Sequence, residues 1–178
     1  MENKLINPSI TKDSVVSLRE INADTVRNIT ALSVDESQKK FVATNAESLA
    51  EANFTDLAWF RAIYADETPV GFVMTEENIK EGKYWIWRYM IDARYQRFGF
   101  GKKALFKVIN HIQAYPNATD LLIGVVQEEG GPQEFYQKFG FKLTGEYEYG
   151  EAIMKLDLSS KESTANKTVG DNSYSLRS

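Results

Sequence analysis

Residues 84–101, YWIWRYMIDARYQRFGFG, decide how the chain is read. Tyr84 to Ile91 are dense in aromatic and aliphatic side chains, and neither alternate set is polar throughout. That pattern predicts a strand buried on both faces. A polar break, residues 92–97, leads into Gly99 and Gly101. Beyond the glycines, Ala104, Leu105, Val108, Ile109 and Ile112 recur at helical spacing. Strand, glycine turn and helix start together put free backbone N–H groups at the positive end of a helix dipole. Such a turn is suited to a phosphate.

The composition narrows what that phosphate belongs to. A chain of 178 residues is most simply one folded unit, long enough to bury roughly two-thirds of its unfolded surface. A net charge of −4 and a pI near 5.2 argue against a general nucleic-acid binder, which needs a basic stripe. The same acidity is compatible with a cationic small substrate. Without cysteine there is no thiolate nucleophile, disulfide framework or thiolate metal site, and a lone His111 does not make a multi-histidine centre. No metal is therefore expected. Neither a signal peptide nor an apolar run of about 18 residues is visible, so no membrane partner and a cytoplasmic location are expected.

Outward from the central stretch, residues 15–21 read as a first strand, with Asn22 capping a helix that carries Val26, Ile29 and Leu32 on one face. Thr44-Asn45-Ala46-Glu47 has capping-box spacing and predicts a short helix to about Asn53, with Glu47 and Glu51 on one face. Residues 58–64 and 70–75 read as a hairpin around the turn chemistry of residues 66–69. Residues 121–126 form a fifth strand, and strand 84–91, helix 102–114 and strand 121–126 imply a right-handed parallel crossover. Pro132 suits the first turn of a helix ending before Gly140. Two last strands, 141–144 and 152–158, flank an acidic, aromatic loop at 145–150. Residues 1–14 and 159–178 are polar and aperiodic; they are expected to lie outside the folded unit, as a loose extension and a disordered tail.

A glycine pair opening a helix admits three readings. A dinucleotide turn wants a third glycine where Ala104 stands and tolerates alanine there, but the spacer of residues 92–97 and the preceding hairpin count against it. A P-loop needs a Gly-Lys-[Ser/Thr] closure that is absent, and an ordinary tight turn remains. The neighbouring residues weigh against all three. Gln96-Arg97-Phe98-Gly99-Phe100-Gly101 resembles the acetyl-CoA-binding signature of the GNAT superfamily of N-acetyltransferases. Downstream, Phe135-Tyr136 with Gly140-Phe141 is similar to that superfamily's second hallmark, in the right order. The resemblance covers residues 15–158. Within the superfamily, segments 41–43, 48–52 and 131–141 look similar to bacterial spermine/spermidine acetyltransferases.

The resemblance implies an α/β fold: a mixed, mostly antiparallel sheet splayed between strands four and five and flanked by helices. It implies acetyl-CoA as co-substrate, with its pyrophosphate held by the turn through Gln96, Arg97, Phe98, Gly99, Phe100 and Gly101. Lys102 and Lys103 would add charge, unless either is simply solvated, and the backbone of Met90 and Ile91 would pair with the pantetheine arm. Glycine lets the main chain approach that closely. Tyr136 is implied as the hydrogen-bond or proton donor to the departing thiolate; otherwise it packs with Phe135 and Phe139 as the apolar face of a short helix.

The general base is not evident. Aligned on the glycine turn, Trp87, with Arg88 beside it, stands where some polyamine acetyltransferases carry a strand-four glutamate, leaving Asp92, Glu128 and Glu129 as nearby carboxylates. For a cationic acceptor the candidates are Glu36, Glu47, Glu51, Glu128 and the stretch Glu146, Tyr147, Glu148, Tyr149 and Glu151, where carboxylates and aromatic rings alternate. Trp85 and Trp87 are expected in the core and His111 on the surface. The expected activity is transfer of an acetyl group by direct attack of a primary amine in a ternary complex, with a polyamine favoured. Another small amine, a protein N-terminus or a non-catalytic acyl-CoA sensor are the alternatives. Relatives commonly form homodimers, so a homodimer is expected.

Overall fold

The computed structural model describes residue 7 and residues 9–159. Its elements run β1 (Val16–Arg19), α1 (Val26–Thr30), a 3-10 turn (Glu36–Phe41), α2 (Asn45–Ala52), β2 (Ala58–Ala65), β3 (Thr68–Asn78), β4 (Lys83–Ile91), α3 (Phe100–Gln113), β5 (Asp120–Val125), α4 (Gln133–Gln137), β6 (Lys142–Glu148) and β7 (Glu151–Asp157). They form one seven-stranded sheet in the order β1-β2-β3-β4-β5-β7-β6, antiparallel except between β4 and β5. Each element follows from local chemistry. The capping box at Thr44 is made in both directions, with Thr44 Oγ1 accepting from Glu47 N and the Glu47 carboxylate accepting from Thr44 N. In α3 the face read from the sequence, Ala104, Leu105, Val108, Ile109 and Ile112, is the buried face, joined by Phe100.

Two apolar layers cover the sheet. Phe100, Leu105, Val108 and Ile112 of α3 pack on Ile63, Val73, Tyr84, Ile86 and Leu121. On the other face Ile29 and Leu32, with Ala52 of α2, pack on Ala62, Tyr64, Phe72, Met74 and Met90. The decisive irregularity is in β4. Met74 faces Arg88 and Thr75 faces Ile86, so Trp87 is an extra residue, a bulge in β4. On the other side of β4 the parallel ladder to β5 consists of Trp85↔Leu122 and Ile86↔Ile123. Beyond the bulge β4 bends away and the two strands part.

Several expectations are corrected by this arrangement. The central strand is not buried on both faces: Trp85, Trp87, Arg88, Tyr89 and Ile91 are half-buried because the parting opens one side of β4 to a groove. Trp85 and Trp87 both line that groove, and Trp87 also packs against the core layer under α1 and α2, as expected. Asn22 does not cap α1 directly; its side chain accepts from the backbone of Asp24 and Thr25, and Thr25 is the cap residue. Residues 145–148 continue β6, and the hairpin closes on Tyr149 and Gly150, both at positive φ. Although residues 9–14 were read as outside the fold, Ile10 is buried in the main core and Lys103 Nζ donates to Lys12 O at 2.6 Å. Of the disordered tail expected for 159–178, Ser159 bonds Asp157 through its backbone and hydroxyl, and residues 160–178 fall outside the described residues.

His111 is not a free surface residue. Its ring stacks on Trp59 at 4.1 Å, and Nε2 lies 3.0 Å from Glu77 Oε1. The buried Glu77 carboxylate also accepts from Thr75 Oγ1 at 2.7 Å and Tyr115 Oη at 2.8 Å. Burial, and then the hydrogen bond to Glu77, push the Tyr115 hydroxyl up to about 12. This cluster ties β3 to the C-terminal half of α3. Glu77→Ala, which takes the acceptor from buried Thr75 and half-buried His111 and Tyr115, is expected to cost about 2–4 kcal/mol. The check is a lower denaturant midpoint at unchanged slope.

Candidate active site

The glycine turn is shaped by two left-handed residues, Arg97 at φ +67° and Gly99 at φ +85°. Glycine adopts this freely; at Arg97 it costs about 1 kcal/mol, the kind of strain held at functional sites. The first intrahelical bond of α3 is Lys103 N to Gly99 O, and Gly99 supplies no side-chain cap. The N–H groups of Phe100, Gly101 and Lys102 therefore have no partner within the helix and sit at its positive end. Such a terminus is chemically suited to an anion. The Gln96 side chain fixes the turn to the strand, with Nε2 donating to Ile91 O at 3.0 Å and Gln38 Oε1 at 2.7 Å. Tyr89 adds a second tie, its buried hydroxyl donating to Gly101 O at 2.6 Å.

From this turn a groove of about 1530 Å³ runs through the parting of β4 and β5 to α2 and the β6–β7 hairpin. One drug-sized ligand fills about 300–1,000 Å³, so this volume suits two substrates side by side. Met90, Ile91, Gln96, Arg97, Gly99, Phe100, Gly101 and Lys102 all line it. Phe98 does not: it stacks on Phe100 at 5.4 Å and packs on the core. Lys103 turns to the N-terminal segment instead, through Lys12 O and Ser14 O.

Tyr136 lines the groove from α4, with its ring 3% exposed and edge-on to Phe135 and Phe141. Burial pushes its hydroxyl well above the ordinary tyrosine range, so the proton stays on oxygen at any physiological pH. That makes it a donor, not a base. Its hydroxyl makes no hydrogen bond to another described residue.

The carboxylates separate into those already committed and those that are not. Glu47 closes the α2 cap, Glu36 pairs with Lys39, and Glu128 pairs with Lys40. Glu51 accepts from Arg88 Nη2 at 3.0 Å, so a cation and a carboxylate meet beside Trp87 at the bulge. Arg88 Nε is buried without a partner among the described residues. Glu146 lies on a separate cavity beside Lys142 and Lys155. Glu148 and Glu151 line the groove. Glu151, one of the carboxylates expected to face a cationic acceptor, is the first residue of β7. Its carboxylate lies over Gly124, so close that a Cβ at 124 would overlap Oε2. The signal was a glycine inside an otherwise aliphatic strand, which marks close approach.

The acetyltransferase (GNAT) family profile matches residues 22–141, spanning both the glycine turn and Tyr136. The chain belongs to the acetyltransferase (GNAT) family. It is 27% identical over 150 residues to the spermine/spermidine N(1)-acetyltransferase of Bacillus subtilis, covering 80% of this chain and 99% of that protein. Among solved structures, the spermidine N-acetyltransferase of Vibrio cholerae in complex with CoA and spermine superposes with a TM-score of 0.64 at 15% identity, over 81% of this chain and 96% of that one. The PaiA N-acetyltransferase of Thermoplasma acidophilum, in complex with coenzyme A, gives 0.60 at 16%, over 80% and 99%. The resemblance drawn from residues 96–101 and 135–141 is thus the one these comparisons return.

In this GNAT chain Asp92 is structural. It is buried at the end of β4, where its carboxylate accepts from Ser33 N at 3.0 Å, Arg94 N at 3.1 Å and Arg94 Nε at 2.7 Å. Burial alone would raise its pKa, but the Arg94 guanidinium and these N–H groups outweigh it and hold the carboxyl below its usual range. A depressed folded pKa means stability present above the unfolded value near 4 and lost as pH falls through the folded one. Asp92→Asn is expected to cost about 1–3 kcal/mol at pH 7. The gap from the unaltered protein should close as pH falls below 4, measured by urea melts across that range.

Proposed function

We propose that this GNAT chain transfers the acetyl group of acetyl-CoA to a primary amine by direct attack in a ternary complex, with a polyamine such as spermidine or spermine as acceptor. The observation that carries the reading is the single groove that joins the N–H turn of α3 to Tyr136 and then to an acidic, aromatic stretch. The unpaired N–H groups of Phe100, Gly101 and Lys102 receive the pyrophosphate, with Lys102 adding charge. Past Ile86 the edge of β4 no longer pairs with β5 and accepts the amide-bearing pantetheine arm at Met90 and Ile91 as a strand would be accepted, beside the Ile91 carbonyl that Gln96 already bonds. Gly71 allows this part of β4 to sit close on β3, because a Cβ there would overlap Met90 O.

Tyr136 is then the donor to the sulfur. As the C–S bond breaks, its hydroxyl gives a hydrogen bond or proton to the developing thiolate, inside a ring-lined pocket where that interaction is strong. The acceptor lies beyond the thioester, between Trp85 and Trp87 of β4 and the groove carboxylates Glu76, Glu148 and Glu151. Indole faces attract ammonium groups, and carboxylates spaced along the groove pair with successive ones. The relatives named for spermine and spermidine support that choice of acceptor.

Thiol release from acetyl-CoA with spermidine, and none with peptides, is the expected result. Coenzyme binding without turnover on any amine would instead mark a sensor. Tyr136→Phe should lower kcat by about 10²-fold or more while leaving thermal stability nearly unchanged, since the lost hydroxyl holds no partner among the described residues. Full turnover by that variant would remove Tyr136 from the chemistry.

A further inference from the structure

Beyond the bulge, β4 offers no free carboxylate at the point where the strands part: Trp87 is apolar and Arg88 is paired with Glu51. The opposite bank of the parting does. Gly124 follows Ile123, the last β5 residue paired with β4, and so stands at the first position where β5 runs alone on that side. It has no side chain, and the space above it is filled from the neighbouring strand by Glu151, which precedes the pair Ala152↔Val125 at the start of β7. Glu151 is half-buried, lines the same groove as Tyr136, and makes no side-chain hydrogen bond or ion pair to another described residue. A carboxylate held over a glycine at the mouth of the parting faces the place where the amine must meet the thioester.

We propose that Glu151 is the catalytic base of the reaction, an assignment that rests on the acetyl-transfer reading above. Its carboxylate takes a proton from the acceptor ammonium. The neutral nitrogen attacks the thioester carbonyl carbon, the C–N bond forms, and the C–S bond breaks with its electron pair passing to sulfur. Tyr136 protonates the sulfur and is reprotonated by the second proton lost from nitrogen. The proton on Glu151 returns to solvent, so one amide, one thiol and one proton leave. Among the groove's other charged groups, Lys39 pairs with Glu36, Lys40 with Glu128 and Glu47 closes the α2 cap, while Arg97 and Lys102 stand at the glycine turn. Arg88 is held by Glu51 and Lys83 by Glu81, while Glu76 and the exposed Glu148 lie along the acceptor's length.

The full-length enzyme tests this with acetyl-CoA and spermidine over a range of pH. Glu151→Gln should keep its melting temperature and its affinity for coenzyme A, yet lose about 10²–10³-fold in kcat/KM near pH 7. The loss should shrink as pH rises toward the amine's own pKa, because an amine that arrives neutral needs no base. Gly124→Ala, which keeps the carboxylate but forces it aside, should show the same pattern in weaker form. A Glu151→Gln enzyme that is unimpaired, or impaired by one constant factor at every pH, would overturn the assignment while leaving acetyl transfer intact. Unimpaired Gly124→Ala would contradict its geometric basis. No turnover by the unaltered enzyme with any amine would overturn the acetyl-transfer reading and this assignment together.

Discussion

The rest of the structure depends on a ladder that stops early. β4 and β5 are parallel and pair at Trp85↔Leu122 and Ile86↔Ile123, then separate. A sheet interior normally satisfies every backbone N–H and C=O, and unpaired main chain inside a fold is costly unless something else will bond to it. The bulge at Trp87 leaves that edge facing the groove, and two ties, Gln96 to Ile91 O and Tyr89 to Gly101 O, hold this region to the N-terminus of α3. The groove and its approach to Tyr136 both follow from where the two strands part.

Rigidity around the parting is supplied from both ends. Behind it, Glu77 gathers Thr75, His111 and Tyr115 into one buried cluster joining β3 to α3. Ahead of it, Asp92 fastens the end of β4 to the backbone of Ser33 and to Arg94. Opposite electrostatic situations give opposite outcomes. Asp92, bonded by N–H donors and a guanidinium, is held ionised. Tyr136, buried among rings, is held neutral. One carboxyl is held charged within a structural network, and one hydroxyl keeps its proton.

Much of this was legible in the sequence wherever the cause is local. The apolar face of α3, the capping box at Thr44, the βαβ order and the glycine turn are all written within a few residues of where they act. What could not be read arises between distant segments. The β4 bulge needs the register with β3, and the capture of Arg88 by Glu51 needs α2 to be seated over that bulge. Ile10 lies in a polar, aperiodic stretch, and only tertiary packing draws it into the core. The acidic stretch 145–151 was noticed as composition, yet its members go to different places. Glu146 faces a second cavity, whereas Glu148 and Glu151 face the groove, and Gly124 is what lets Glu151 lie flat over β5.

The most direct measurement is a crystal structure of the protein with coenzyme A. The pyrophosphate is predicted to accept hydrogen bonds from the N–H groups of Phe100, Gly101 and Lys102. The pantetheine amides should pair with the open edge of β4 at Met90 and Ile91, and the sulfur should lie within hydrogen-bonding reach of Tyr136 Oη. Coenzyme A bound with its pyrophosphate away from the α3 turn, or with its sulfur remote from Tyr136, would contradict the account.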